Sequence, residues 1–490
     1  MIRSEHIAIH KGDGWYSTEP PFHPSEKYPE YTFEDVFSER ANPAYDAVRK
    51  SFRLLRLDEG HFRNKEWNPL GELITPGDHV VLKPNWIRES HSLRHDEWEQ
   101  VITHPSVIRA MLDYVFIALK GEGRVTISDG PQTDSDFDEI VRRTGMERIV
   151  DYFCDKGLDI TLLDLRRDRW LQKDGVTHRR KALPGDPAGY ATIDLGDGSE
   201  FADYTLNGKF YGADYDVDET AKYHGNGRHA YVLCRTVMDA DVVINLPKMK
   251  VHKKTGVTLS LKNMVGVNGC RNCLPHHTLG TPAEGGDEFP VSSVKNKVQS
   301  RLIAGVKKHL VNAGGCGGAV SRSLFKAGRS MFGDTEQVVR SGNWYGNDTA
   351  WRMVLDMNKG LFHFTGDGNR RTKPLRYLTL VDGIIAGEGD GPAAPDEKLC
   401  GVVVVGFNPV AVDTVSATLM GFDHRKLSVL REAWKIDDYP LVDFAEEEIV
   451  CRSNVPDWDG AFSQLEEVEH LGLRPHFGWE GHVERSSTEG

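Results

Sequence analysis

A chain of 490 residues is too long for one ordinary hydrophobic core, so several structural units are expected. Its formal net charge of -13 argues against general nucleic-acid binding, which rests on basic residues neutralising phosphates, and makes any anion site a local inversion of the overall field. No apolar stretch approaches the roughly 20 residues of a membrane-spanning helix, the N-terminus lacks the apolar core of a secretion signal, and seven cysteines show no disulfide-scaffold rhythm, so a reducing, cytoplasmic setting is expected.

Residues 1–70 read as a covering segment, with a short strand over Ile7–Ile9, an aromatic and proline-rich run, and two short helices broken at Pro43. Residues 71–165 read as a first α/β lobe. The turn at Pro76 and Gly77 opens the strand HVVLKPN, which ends at Lys83 and Asn85. A helix follows over SVIRAMLDYVFIALKG, with serine as its cap and glycine as its stop, and RVTISDGP is a strand ending at Asp129. This βαβ order presents Lys83 and Asp129 at one sheet edge, although Asp-Gly is also a common turn pair. Residues 166–230, rich in Gly, Asp and Tyr, predict a β-rich insertion.

Residues 231–273 form the central strand-loop-helix motif. The apolar run Val242–Leu246 predicts a buried parallel strand, which Pro247 stops. Beyond it, Lys248, Lys250, His252, Lys253 and Lys254 place five cationic or titratable groups in seven positions, where open α/β sheets put their ligand crevice. Thr255, Gly256 and Thr258 predict a helix opening, and Lys262 and Asn263 then fall in an apolar segment where a charge needs a partner. An anionic ligand suits this field, with a solvated basic loop as the plainer alternative. Cys270 and Cys273 have metal-type spacing; His276, His277 and Cys316 are candidates to complete such a site, while two thiols in a loop is the commoner meaning.

Residues 274–371 predict a helical and irregular insertion. Its basic amphipathic part, within 295–340, suits a lipid head group and hence a peripheral membrane contact, a phosphorylated substrate, or simply a solvated helix face. Trp344 and Arg352 belong to an aromatic and polar run that suits a sugar or nucleotide wall, or equally a domain seam. Residues 372–430 read as the last α/β unit, with a strand ending at Asp382, a glycine-rich acidic loop offering Glu388 and Asp390 to a divalent ion such as Mg²⁺, a strand VVVVGF, and a helix with Asp413 in its first turn. An acid there is favoured electrostatically in any case. Residues 431–490 form a C-terminal tail. The expected fold is α/β, with two Rossmann-like lobes of mostly parallel sheet, a β-rich insertion and a helical one. No G-x-G-x-x-G after a strand, P-loop or G-x-S-x-G elbow occurs.

The motifs KPN (Lys83–Asn85), THP (Thr103–Pro105), SDGP (Ser128–Pro131), INLPKMKVHKKTGVTLSLKN (Ile244–Asn263) and VDGIIAGEGDGP (Val381–Pro392) together resemble an uncharacterised bacterial and archaeal family, known only as a domain of unknown function and sometimes joined to ferredoxin-type iron-sulfur modules. The resemblance spans roughly residues 75–425, and no multi-cysteine ferredoxin module stands in this sequence. More faintly, the spacing of His252, Gly256 and Lys262, with His276 and His277 downstream, is similar to the nickel-pincer lactate racemase family. That resemblance implies Lys262 as cofactor anchor, His252 as acid/base and His277 as metal ligand, although Leu259, Ser260 and Leu261 stand where that family has a double glycine.

These readings point to an enzyme acting on a small anionic metabolite: a phosphorylated sugar, a nucleotide or a hydroxy acid. His252, Lys262, Asp129 and Asp382 are the catalytic candidates. Lys83, Asn85, Lys248, Lys250, Asn263, Trp344 and Arg352 are the substrate-binding ones, and Asp382, Glu388, Asp390 and His277 the metal ligands. An iron-sulfur or redox protein built on Cys270 and Cys273, and a non-catalytic anion-binding module, are the alternatives. The reaction class and oligomeric state stay open.

Overall fold

Runs of valine and isoleucine that are apolar on both faces need cover on both faces. The computed structural model describes residues 2–33, 37–173, 176–204, 208–212, 217–291 and 339–485, and among them the centre is one sheet of 11 strands. These are β1 (His6–Lys11), β2 (His79–Pro84), β3 (Arg124–Asp129), β4 (Asp159–Asp164), β5 (Val242–Leu246), β6 (Lys248–His252), β7 (Gly256–Thr258), β8 (Arg376–Asp390), β9 (Ala394–Gly406), β10 (Val450–Ser453) and β11 (Gly460–Ala461). The order is β11-β10-β1-β9-β8-β5-β2-β3-β4, with β6 paired to the far half of β8 and β7 to β6.

From β8 through β5, β2 and β3 to β4 every pairing is parallel, while β9 runs antiparallel to both of its neighbours. The two α/β units that the sequence reads as separate lobes thus share one sheet, because β5 joins β2 of the first directly to β8 of the second. Side chains alternate across it. Val81, Val243 and Val381 face a core closed by the helices Ala350–His363 and Pro409–Met420, whereas Leu82, Ile244 and Leu380 face one closed by Pro43–Leu54 and Pro105–Leu119. Each such buried side chain contributes about 1.5–3 kcal/mol relative to exposure.

Several local expectations change. The segment 1–70 does more than cover, since β1 is threaded between β10 and β9. His104, not serine, caps the helix Pro105–Leu119, its ring accepting from Ser106 N–H. Lys248–His252 is a strand rather than a loop, because Met249 and Val251 alternate into the core and Pro247 interrupts the ladder only once. Thr255 to Thr258 likewise belong to a turn and β7, not to a helix opening. The glycine-rich acidic loop is the extended hairpin of β8 and β9, with Glu388 opposite Asp396. Its glycines admit close neighbours: a Cβ on Gly387 would stand 2.9 Å from Lys250 Cβ and 2.8 Å from Gln100 O.

The β-rich insertion is present as a hairpin of Asp168–Lys173 with Val176–Ala182 and a three-stranded sheet containing Tyr190–Asp194 and Arg228–Cys234. Phe210–Tyr211 pairs with His277–Thr278, which ties the β-rich insertion to the start of the segment 274–371. The helix Ala350–His363 represents the helical insertion, whereas the basic segment 295–340 lies outside the described residues up to position 338, Cys316 with it. No described helix is long and apolar enough to cross a membrane.

Burial sets a pH dependence. It lowers His224 to about 3, His476 to about 3 and His10 to about 4, so the folded state keeps these rings neutral while the unfolded chain protonates them near 6.5. Between those values the unfolded state binds more protons, and stability therefore falls as pH drops from about 6.5 towards 3. Urea unfolding is expected to show a lower midpoint at pH 5 than at pH 7, with a shallower dependence in His224→Gln; equal midpoints at the two pH values would contradict this.

Candidate functional site

β2 and β3 are adjacent and parallel, so their last residues meet. Lys83 Nζ lies 2.7 Å from Asp129 Oδ1, and both side chains are buried. Asp129 also accepts the backbone N–H groups of Trp86 and Gly130, each at 2.7 Å. From the short helix Ser260–Asn263, Asn263 Oδ1 accepts from Lys83 Nζ at 2.9 Å and from Asn85 Nδ2 at 2.8 Å. Its Nδ2 donates to Asn245 Oδ1 at 2.7 Å. One amide side chain thereby ties β2, β5 and the helix together. Gly266 packs over the ion pair so closely that a Cβ would stand 2.3 Å from Asp129 Oδ1 and 2.7 Å from Lys83 Nζ.

The helix is held from the other side by Asp413, which accepts the N–H groups of Ser260 at 2.7 Å and Leu261 at 2.8 Å. Burial pushes the Asp413 carboxyl up to about 7, against the pull of those amides.

Lys262 precedes Asn263 and is half-buried. Among the described residues its ammonium has no hydrogen-bond partner and no counter-acid. Burial, then the charges of Lys83, Arg271 and Lys254, lower it to about 8, with Asp129 pulling the other way. Arg271 Nη2 donates to Gly130 O at 2.7 Å and to Pro131 O, and burial lowers this guanidinium to about 10. Lys254 Nζ lies 3.1 Å from His277 Nδ1 and donates to His276 O at 3.4 Å.

Two imidazoles complete the cluster with opposite polarity. His252 Nδ1 accepts from the N–H groups of Lys254 at 3.1 Å and Thr255 at 3.3 Å, so its proton sits on Nε2. His276 Nδ1 donates to Leu274 O at 2.8 Å, which leaves a lone pair on Nε2. Burial first, then Lys262 and other cations, hold His252 well below the usual range; burial, then Lys254 and Lys262, lower His276 to about 3. Both rings are neutral at pH 7.

Other expected residues lie elsewhere. Asp382 and Lys248 are fully enclosed: Asp382 accepts from Tyr16 O–H at 2.5 Å, from Lys248 Nζ at 3.1 Å and from His104 N–H at 2.9 Å. Tyr16 stacks on His104 with ring centroids 3.9 Å apart. With its oxygens taken and no exposure, Asp382 belongs to a closed network that pins the N-terminal segment to β8 and β6. Lys250 is also enclosed and donates to Val101 O. Arg352 pairs with Asp348 at 3.0 Å, and Trp344 Nε1 donates to Asp287 O at 2.8 Å; among the described residues no hydrogen bond or ion pair joins either to the Lys262 cluster. Glu388 accepts Arg474 N–H at 3.0 Å on the β8–β9 hairpin, and Asp390 is exposed at its tip. Among the described residues no three His, Cys, Asp or Glu side chains are grouped to hold a metal ion, so Asp382, Glu388, Asp390 and His277 do not form the expected ligand set. Cys270 and Cys273 are joined as a disulfide on either side of Arg271.

Sequence reasoning gave Arg271 and Tyr16 no role, named His276 only as a possible metal ligand and as part of the histidine pair downstream of Lys262, and quoted Asn245 and His104 only as members of motifs. Arg271, enclosed between two cysteines, carried a signal in its spacing. Tyr16 carried none, because its partner Asp382 is 366 positions away.

The fold and this cluster define an α/β protein with a cationic site at the carboxyl ends of parallel strands. The chain belongs to the family described as domain of unknown function (DUF362), which matches residues 80–187 and 196–418. It is 24% identical over 228 residues to the thylakoid-associated protein sll1697 of Synechocystis, covering 46% of this chain and 50% of that protein, so it spans about half the length of the relative it matches. A crystal structure of a protein from Thermotoga maritima aligns over 68% of this chain and 54% of its own, at 11% identity and a TM-score of 0.27.

Removing the counter-charge of Lys83 leaves a buried cation uncompensated. Asp129→Asn is therefore expected to cost about 3–5 kcal/mol of unfolding free energy by urea titration, and the double variant Lys83→Met with Asp129→Asn to cost less than the single one.

Proposed function

We propose that this protein is an enzyme acting on a small anionic metabolite, bound at Lys262. The observation that carries this reading is an ammonium that has no ion pair among the described residues, set among Lys83, Lys254 and Arg271 in a chain whose net charge is -13. A lone cation of this kind leaves room for a substrate anion to supply the missing charge. Arg271 and Lys262 would bind the anion, His276 Nε2 would accept a proton, and His252 Nε2–H would donate a hydrogen bond to a developing oxyanion. Lys83 and Asp129 act as positioning residues that fix Asn263. We place the protein in the cytoplasm; the name of the Synechocystis relative places that protein at the thylakoid.

The nickel-pincer reading is less well supported, since His277 Nδ1 faces the Lys254 ammonium and Asp382 is sealed. A redox role gains support from the disulfide beside Arg271 and is the second reading. It predicts turnover of a thiol or disulfide substrate that is lost in Cys270→Ser.

Isothermal titration with inorganic phosphate, phosphorylated sugars, nucleotides and hydroxy acids tests the preferred reading. Wild-type protein is expected to bind at least one of them, Lys262→Gln to weaken it about tenfold or more, corresponding to about 1.4 kcal/mol, and affinity to fall as pH rises through about 8, where Lys262 loses its charge. Binding that is unchanged in Lys262→Gln would remove Lys262 from the site.

A further inference from the structure

We propose that Lys262 is a nucleophile that forms a Schiff base with a small carbonyl compound bearing a carboxylate or phosphate group. This rests on the reading of the cluster as an anion site and names its chemistry. A lysine is a poor nucleophile when a carboxylate holds it as an ammonium; it becomes a good one when desolvated beside other cations. Lys262 meets those conditions. It is half-buried and carries no ion pair or hydrogen bond among the described residues.

The charged and titratable groups around it come from several elements: Lys83 and Asp129 from the ends of β2 and β3, Lys250 and His252 from β6, Lys254 from the turn before β7, and Arg271 and His276 from the segment after the short helix. Asp129 is the acid among them, and its carboxylate is engaged by Lys83 and two backbone amides. Burial first, and then the surrounding cations, keep a useful fraction of Lys262 unprotonated near neutrality, with a midpoint of about 8. The same cations bind the anionic group of the substrate.

The covalent step balances without a further reactant. The Nζ lone pair attacks the carbonyl carbon, a C–N bond forms, and the C–O π pair moves onto oxygen, which His252 Nε2–H steadies by hydrogen bonding. His276 Nε2 takes a proton from the nitrogen and returns it to the oxygen. A second proton follows the same route, the oxygen leaves as water, and the C=N bond remains.

Full-length protein is incubated separately with pyruvate, 2-oxoglutarate and glyceraldehyde 3-phosphate in the presence of borohydride, which reduces C=N to a stable secondary amine, and is then mapped by peptide mass. The peptide carrying Lys262 is expected to gain the mass of one probe less one oxygen atom, faster as pH rises through about 8. Lys262→Arg, which keeps the charge, is expected to lose that adduct while still binding the same probe by titration. Labelling spread over surface lysines, or none at Lys262, overturns the proposal. Probe binding by titration without trapping overturns it and leaves the anion site standing; neither binding nor trapping overturns both.

Discussion

The contact on which the site depends is the buried pair Lys83–Asp129 and the amide of Asn263 that completes it. An ion pair taken out of water gains little by itself, because desolvation of both charges offsets their attraction. This one is saturated: the carboxylate takes two backbone amides, the ammonium takes Asn263 Oδ1 and the carbonyl of Pro84. The consequence is geometric. Asn263 cannot leave without giving up its hydrogen bonds to the Lys83 ammonium and to the amides of Asn85 and Asn245, so the short helix is held against the ends of β2 and β5, and its neighbour Lys262 is held with it.

Asp413 secures the same helix through its first amides from the opposite side. A four-residue helix has little stability of its own, because nucleation costs more than one turn returns. Here tertiary hydrogen bonds supply what propensity does not. The result is a platform carrying the Lys262 ammonium, which has no ion pair among the described residues, flanked by two neutral imidazoles, one with a proton to donate and one with a lone pair.

A second buried pair, Lys248–Asp382, does a different job. It gathers Tyr16, His104 and β8 into one enclosed network, which joins the N-terminal segment, the loop before the helix Pro105–Leu119 and β8. Two lysines of the central motif therefore have opposite fates. Lys248 alternates onto the face that meets Tyr16 and is enclosed, whereas Lys262 lies on the short helix Ser260–Asn263 and keeps part of its surface.

Local sequence sets β2, β3 and β5 and where each of them stops. Val242–Leu246 followed by Pro247, HVVLKPN and RVTISDGP each combine a continuous apolar run with a residue that stops the ladder, and the βαβ order then forces Lys83 and Asp129 together; such signals are local, written in periodicity and in proline and glycine. Long-range packing selects which charges pair with one another. Lys248, Lys250 and Lys262 look alike in sequence, but the groups that take up the first two, Tyr16 and Asp382 for Lys248 and the carbonyl of Val101 for Lys250, come from distant segments. The same holds for the glycines around Gly387, read as a loop and found as a hairpin. Pairing across hundreds of positions leaves no periodic trace, because what selects it is the cost of an unmatched charge in the packed interior.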